Sequence, residues 1–278
     1  MPPLFPYLVG ALEVGFALAG LILLWREVLC PAARARRGTA PLPAWDVPAT
    51  DFFIFVFLVL TTSFLAAAAA GYAARSAFLG LRGDAVTVFS GAAAQLGMLT
   101  GVAVFRFGIE RRPLGPRLTQ PGVLASGVAA FLVSLPLLIA TANAWEFLLK
   151  LLGLPVDRQD LIGMFANAKS PWLLIVMITL AVVIAPLNEE LVFRAGLFRF
   201  LRTRIPRWLA LLLPALTFAV LHVNWHTLQG LASLAPLVML AIVFSLAYER
   251  TGRIGTSIVA HACFNLNTIL VIFSGLNP

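Results

Sequence analysis

The sequence predicts an all-α, polytopic membrane protein with about eight transmembrane helices, and three observations carry that prediction. Hydrophobic residues make up 60% of the 278 residues and charged residues 12%, whereas soluble domains run near 45–50% and 25%. The apolar residues come as long runs rich in Ala, Leu and Phe, not as the ten-residue alternation of a barrel. The 20 Lys and Arg that make the net charge +8 fall between the runs, where the positive-inside rule accounts for them. They form no stripe with interleaved aromatics, so nucleic acid is not expected as a partner.

The first run, residues 4–25, has the length of a spanning helix, about 20 residues. It lacks the basic n-region and short core of a signal peptide, so it is read as a retained membrane helix. Glu13 interrupts it and is expected to face the bundle interior or pair with an arginine. A Pro/Arg/Ala linker follows over residues 26–48, with Arg26, Arg34, Arg36 and Arg37. The next runs are 52–72, 85–105, 121–145, 171–187 with its polar extension, 208–223, 231–248 and 255–273. Residues 146–170 are mixed, with Lys150, Asp157, Arg158, Asp160 and Lys169, and read as an interfacial loop with short amphipathic pieces. No internal repeat is visible. The chain divides at 170 into a part without motifs, 1–170, and a polar-bearing part, 171–278, expected to form one integrated domain. Alternate loops hold most of the Lys and Arg, which predicts both termini outside the cytoplasm and the loop from Arg202 to Arg207 inside. Cys30 and Cys263 are far apart in apolar surroundings and make neither a disulfide framework nor a metal-binding pair.

The fifth run ends in Ala185-Pro186-Leu187-Asn188-Glu189-Glu190-Leu191-Val192-Phe193-Arg194. An ionised carboxylate in hydrocarbon costs on the order of 3 kcal/mol on insertion scales, so an intramembrane acid reads first as a functional site. Glu190 and Arg194, four apart, can pair on one helix face at the membrane surface. That pairing leaves Glu189, about 100° round the helix, without a structural reason.

Three further polar groups lie in apolar runs. His222 ends the sixth, and His261 and Asn265 sit four apart on one face of the eighth. Glu189 lies 13 residues before Arg202 and His222 15 residues after Arg207. At ~1.5 Å per residue both sit roughly 20 Å from one turn, while His261 and Asn265 lie about 12 and 18 Å from Arg253. The spacing therefore permits all four at similar depth. Each histidine alone, and Asn265 more so, is also explained as a hydrogen-bond partner between helices. A carboxylate with a histidine can deprotonate a water, and a second histidine with an amide can donate to a developing oxyanion. Glu189, His222 and His261 equally match the two-His, one-carboxylate set of catalytic zinc sites, so both chemistries stay open. His226 is four residues from His222, but HxxxH lacks the internal glutamate of HExxH and is read as surface.

Glu189-Glu190-x-x-x-Arg194, Phe218-x-x-x-His222 and His261-x-x-x-Asn265, in this order on successive helices, resemble the three motifs of the CPBP family. Its members are the type 2 CAAX prenyl proteases and the bacteriocin-processing Abi proteins. The resemblance covers residues from about 171 to 272 and includes the Pro-containing lead-in and Val-Phe-Arg-Ala-Gly. It implies an intramembrane endopeptidase acting on a membrane-associated peptide or protein. Glu189 and His222 would activate water, His261 and Asn265 would hold the oxyanion, and Glu190 and Arg194 would order the site. No cofactor is favoured, with zinc as the alternative. The Ala/Arg/Gly-rich composition suggests a bacterial inner membrane. Two rivals remain: a non-catalytic scaffold or immunity factor on the same fold, and a proton-relay transporter. The latter favours matching repeats, which the sequence lacks.

Overall fold

The computed structural model describes residues 4–35, 42–76, 80–110, 121–154, 170–225 and 227–276. Arg36 and Arg37 of the linker, Asp157, Arg158, Asp160 and Lys169 of the mixed segment, and His226 lie outside the described residues. Within them the protein is helical, with no strand. The helices are α1 (Leu4–Leu29), α2 (Pro31–Ala35), α3 (Ala49–Arg75), α4 (Asp84–Glu110), α5 (Val123–Leu151), α6 (Pro171–Arg202), α7 (Arg207–His222), α8 (Gly230–Thr251) and α9 (Ile254–Ser274). Seven of these are long and apolar enough to cross a membrane, and the 16-residue α7 is a shorter apolar helix. All-α polytopic architecture is thus what the sequence predicts and the structure has.

Three boundaries differ from the sequence reading. The first helix continues past Trp25 to Leu29 as a wider π-type turn, because Arg26 and Glu27 do not stop a helix and Glu27 gains a partner. Arg250 donates to the Glu27 carbonyl at 2.7 Å and reaches its carboxylate at 3.4 Å. The fifth span continues through the polar extension expected of it and ends only at Arg202. Residues 146–151 belong to α5 and not to a loop, since Glu146, Phe147 and Lys150 fit a helix end where a basic residue meets the dipole.

The chain folds as two compact units. One comprises α1, α2, α5, α7, α8 and α9, with α5 packed against α1, α8 and α9. Its core is Phe131, Leu135 and Leu138 of α5 with Leu240, Val243 and Phe244 of α8 and Ala260 of α9. Lipid is as apolar as leucine, so membrane helices associate through close packing of small residues and interhelical hydrogen bonds. Ser126 and Thr256 hydroxyls meet at 2.8 Å between α5 and α9, and a side chain at Gly127 would run into Val259. Pro136 has no N–H for the carbonyl of Leu132, and α1 uses the gap. Gly20 lies so close to that carbonyl that any Cβ would collide with it.

The other unit comprises α3, α4 and α6. Gly97 and Gly101 let α4 approach α3 at Thr62, and Ser63 donates to the Ala94 carbonyl at 3.0 Å. An extended segment before α3 carries Trp45 into a cage of Phe52, Phe55, Phe105 and Phe200. Phe52 stacks on Phe200 at 3.9 Å, and the Trp45 indole N–H donates to Glu110 at 2.8 Å. Buried indoles seek such a partner. This cluster anchors the end of α6, the helix that carries Glu189.

Candidate active site

In the α3–α4–α6 unit the polar residues sit where α6 changes pitch. The α-helical turn Ala185–Glu189 lies between two wider stretches, Leu180–Ile184 and Glu190–Phe198. Pro186 explains the first, because it cannot donate to the preceding turn and its ring crowds the carbonyl there; widening the helix relieves both. Such π-type turns occur often at functional sites. Within the second, Arg194 pairs with Glu190 at 2.9 Å, the two side chains being 1% and 0% exposed. The pair forms at the spacing the sequence gives it, but it is enclosed by protein rather than set at a surface. Beside it Gly196 is required by volume, since a Cβ would lie 2.8 Å from the Phe55 ring. Asn188 is fully buried and donates to both the backbone and side-chain oxygens of Gln95 on α4, at 2.9 and 2.5 Å. Glu189 itself is half-buried.

In the other unit the two histidines meet one ring. His222 is the last residue of α7, and its Nδ1–H donates to the Phe218 carbonyl at 2.7 Å. In the neutral ring that bond places the lone pair on Nε2. The His222 ring stacks on Phe218 at 4.1 Å, while His261 meets the same phenyl ring edge-on at 6.2 Å. On its other side His261 faces Phe244 at 5.3 Å. His261 is 4% exposed, whereas His222 is exposed and Asn265, one turn further along α9, is half-buried. Trp225 folds back to donate to the Val220 carbonyl at 2.7 Å, closing the end of α7. Among the described residues of either unit, no three His, Cys, Asp or Glu side chains cluster as metal ligands would.

The structure thus brings Glu190 to Arg194 in one unit and His222 to His261 around Phe218 in the other. Sequence reasoning missed Asn188, Gln95 and Phe244. Gln95 carried a signal, as an amide inside an apolar run, but its partner lies 93 residues away.

These features define an integral, multi-pass helical membrane protein with an enclosed ion pair and an aromatic-held histidine pair. Residues 171–267 match the family described as type II CAAX prenyl endopeptidase Rce1-like. The matched segment holds all three motifs by which the sequence resembles the CPBP/CAAX proteases. It is also similar to an uncharacterized 24.3 kDa protein of Escherichia coli, 30% identical over 126 residues, which is 44% of this chain and 56% of the relative. The UPF0177 protein YbdI of Lactococcus lactis is 31% identical over 93 residues, 33% of this chain and 46% of the relative. The chain spans about half the length of these curated relatives. No solved structure matches it.

Proposed function

We propose that the protein is an intramembrane endopeptidase that hydrolyses a peptide bond of a membrane-associated protein or peptide through water activated by Glu189 and His222. The observation that carries this reading is that the matched protease segment, 171–267, contains every polar group singled out above from Glu189 to Asn265. In this mechanism the Glu189 carboxylate, assisted by His222 Nε2, takes a proton from water as its oxygen attacks the carbonyl carbon. The resulting oxyanion accepts hydrogen bonds from His261 and from the Asn265 amide. The C–N bond then breaks, and the proton first taken from water passes to the departing amine. The Phe218 and Phe244 rings restrict His261, so its donor needs little reorganisation when charge develops. Glu190 and Arg194 order α6 without touching the reacting atoms. The bacterial relatives support placement in a bacterial inner membrane, facing a peptide or a membrane-anchored precursor.

A zinc-dependent variant would draw on Glu189, His222 and His261. His222 fits it equally well, because a ligating imidazole commonly donates its other N–H to a carbonyl. The bound ion would supply Lewis-acid activation of the water.

Cleavage of a fluorogenic peptide library by the protein in liposomes tests the proposal. Glu189→Ala and His222→Ala should each lose at least about 10²-fold in kcat. Full activity in either variant would overturn the assignment. Loss of wild-type activity on chelation with recovery on zinc would transfer these residues to the ligand role.

A further inference from the structure

Among the described residues Asn188 is the most enclosed amide, and the water-activating role does not use it. It is 0% exposed, and its Nδ2 group donates to both oxygens of a single residue on α4, the Gln95 backbone carbonyl at 2.9 Å and the Gln95 side-chain carbonyl at 2.5 Å. A lone buried amide would lose more than it gains, because unpaired polar groups in an apolar interior cost several kcal/mol. The two hydrogen bonds to Gln95 satisfy the donor side of the amide, its Nδ2 group. Its location is informative. Asn188 stands in the five-residue α-helical turn Ala185–Glu189, with wider helix on both sides. Wider turns alter the angular position of every residue after them, so this short turn lacks the rotational constraint that a uniform helix provides. Asn188 supplies the constraint from a neighbouring helix, one residue before Glu189.

We propose that Asn188 and Gln95 are a positioning pair: their hydrogen bonds fix the rotation of α6 between its two wide stretches and so fix the direction in which Glu189 points. The proposal rests on Glu189 being the water-activating group. Asn188 touches no reacting atom in this account and acts only through Glu189. Successive residues on a helix point about 100° apart. A turn held at Asn188 therefore aims Glu189 as well, and a turn released there lets Glu189 swing. Apolar packing constrains rotation less sharply, because the sides of an apolar helix are chemically alike, whereas an amide has to meet its acceptors.

The experiment compares wild type with Asn188→Leu, Gln95→Leu and the exchanged pair Gln95→Asn/Asn188→Gln, all as full chains in nanodiscs. Two readouts are taken. The first is kcat and KM for the fluorogenic peptide. The second is the rate at which a lipid-soluble carbodiimide labels Glu189 at fixed pH, located by mass spectrometry. Asn188→Leu should lower kcat about tenfold or more while KM stays within about twofold, since orientation acts in the transition state. Its carbodiimide labelling should rise about threefold or more as the carboxyl gains freedom. The exchanged pair, which keeps one long and one short amide, should recover much of both losses. If Asn188→Leu does not fold, Gln95→Leu decides the matter. It leaves the bond to the backbone carbonyl in place and should show the same two changes at reduced size. Unchanged kcat and labelling in the folded variants would overturn the positioning role. So would a loss that follows thermal stability and is not recovered by the exchange. An inactive wild type would defeat the protease reading alone, and the labelling rates would still support or overturn the positioning of Glu189.

Discussion

The middle of α6 and the end of α5 carry the same sequence device in different surroundings. Each has a glutamate followed four residues later by a base, Glu190 with Arg194 and Glu146 with Lys150. On α6 the side chains are 0% and 1% exposed and 2.9 Å apart, while on α5 they are 39% and 64% exposed at 3.5 Å. The end of α4 lies between the two, where Arg106 and Glu110 are 21% and 13% exposed at 3.5 Å. Spacing decides that two residues can meet, and burial decides what meeting is worth. In hydrocarbon or protein an unpaired charge has no water to return to. At a helix end it has.

This comparison predicts a graded series, largest on α6. Arg194→Ala leaves Glu190 enclosed without its counter-charge and should destabilise the protein by about 3–5 kcal/mol, as breaking a buried pair does. Reversible unfolding in mixed detergent micelles measures this. Arg194→Lys should recover only part of the loss, because a point charge does not reproduce the planar donor fork of arginine. A loss from Arg194→Ala under about 1 kcal/mol would show that Glu190 is readily neutralised or re-solvated, contrary to its burial.

The gradient also separates what the sequence made legible from what it concealed. Run length and composition sufficed for the spanning helices, because the bilayer imposes both. The spacing of Glu190 and Arg194 sufficed for their pairing, because four residues along a helix is a local relation. Their enclosure was not legible, since it depends on which side of α6 is covered, and a surface pair has the same letters. The Asn188–Gln95 bond joins residues 93 apart, and its existence depends on the rotation of two helices that no local pattern specifies. Phe218 is similar. Its place four residues before His222 is visible, but its second contact, to His261, comes from the packing of α7 and α9. Pro186 was the exception, a visible cause whose effect, the widened turn before it, follows from the missing N–H.

The intermediate pair on α4 should respond in between. Arg106→Ala is expected to cost about 1 kcal/mol, the upper part of the range for partly exposed pairs. Glu110 keeps the indole N–H of Trp45 at 2.8 Å, so it retains a donor when Arg106 is removed. Trp45→Phe in the Arg106→Ala background removes that remaining donor and should cost more than the sum of the two single changes. Additive costs would mean that Arg106 and Trp45 serve Glu110 independently, and the intermediate position of this pair would then reflect exposure alone.

The smallest effect is expected on α5. Lys150→Ala should change stability by no more than about 0.5 kcal/mol, because an exposed ion pair gains little over two hydrated charges. Lys150 stands in the last turn of its helix, where a cation also interacts favourably with the helix dipole. A single substitution therefore mixes two effects, and a double-mutant cycle with Glu146→Ala separates them. The dipole contribution survives in the Lys150 single change and cancels in the coupling term, so the coupling should be smaller than the single-site effect. A coupling above about 1 kcal/mol would place this pair outside the range of exposed ones. Enclosure by protein would then no longer be what distinguishes α6 from α5, and the membrane boundary itself would have to supply the strength.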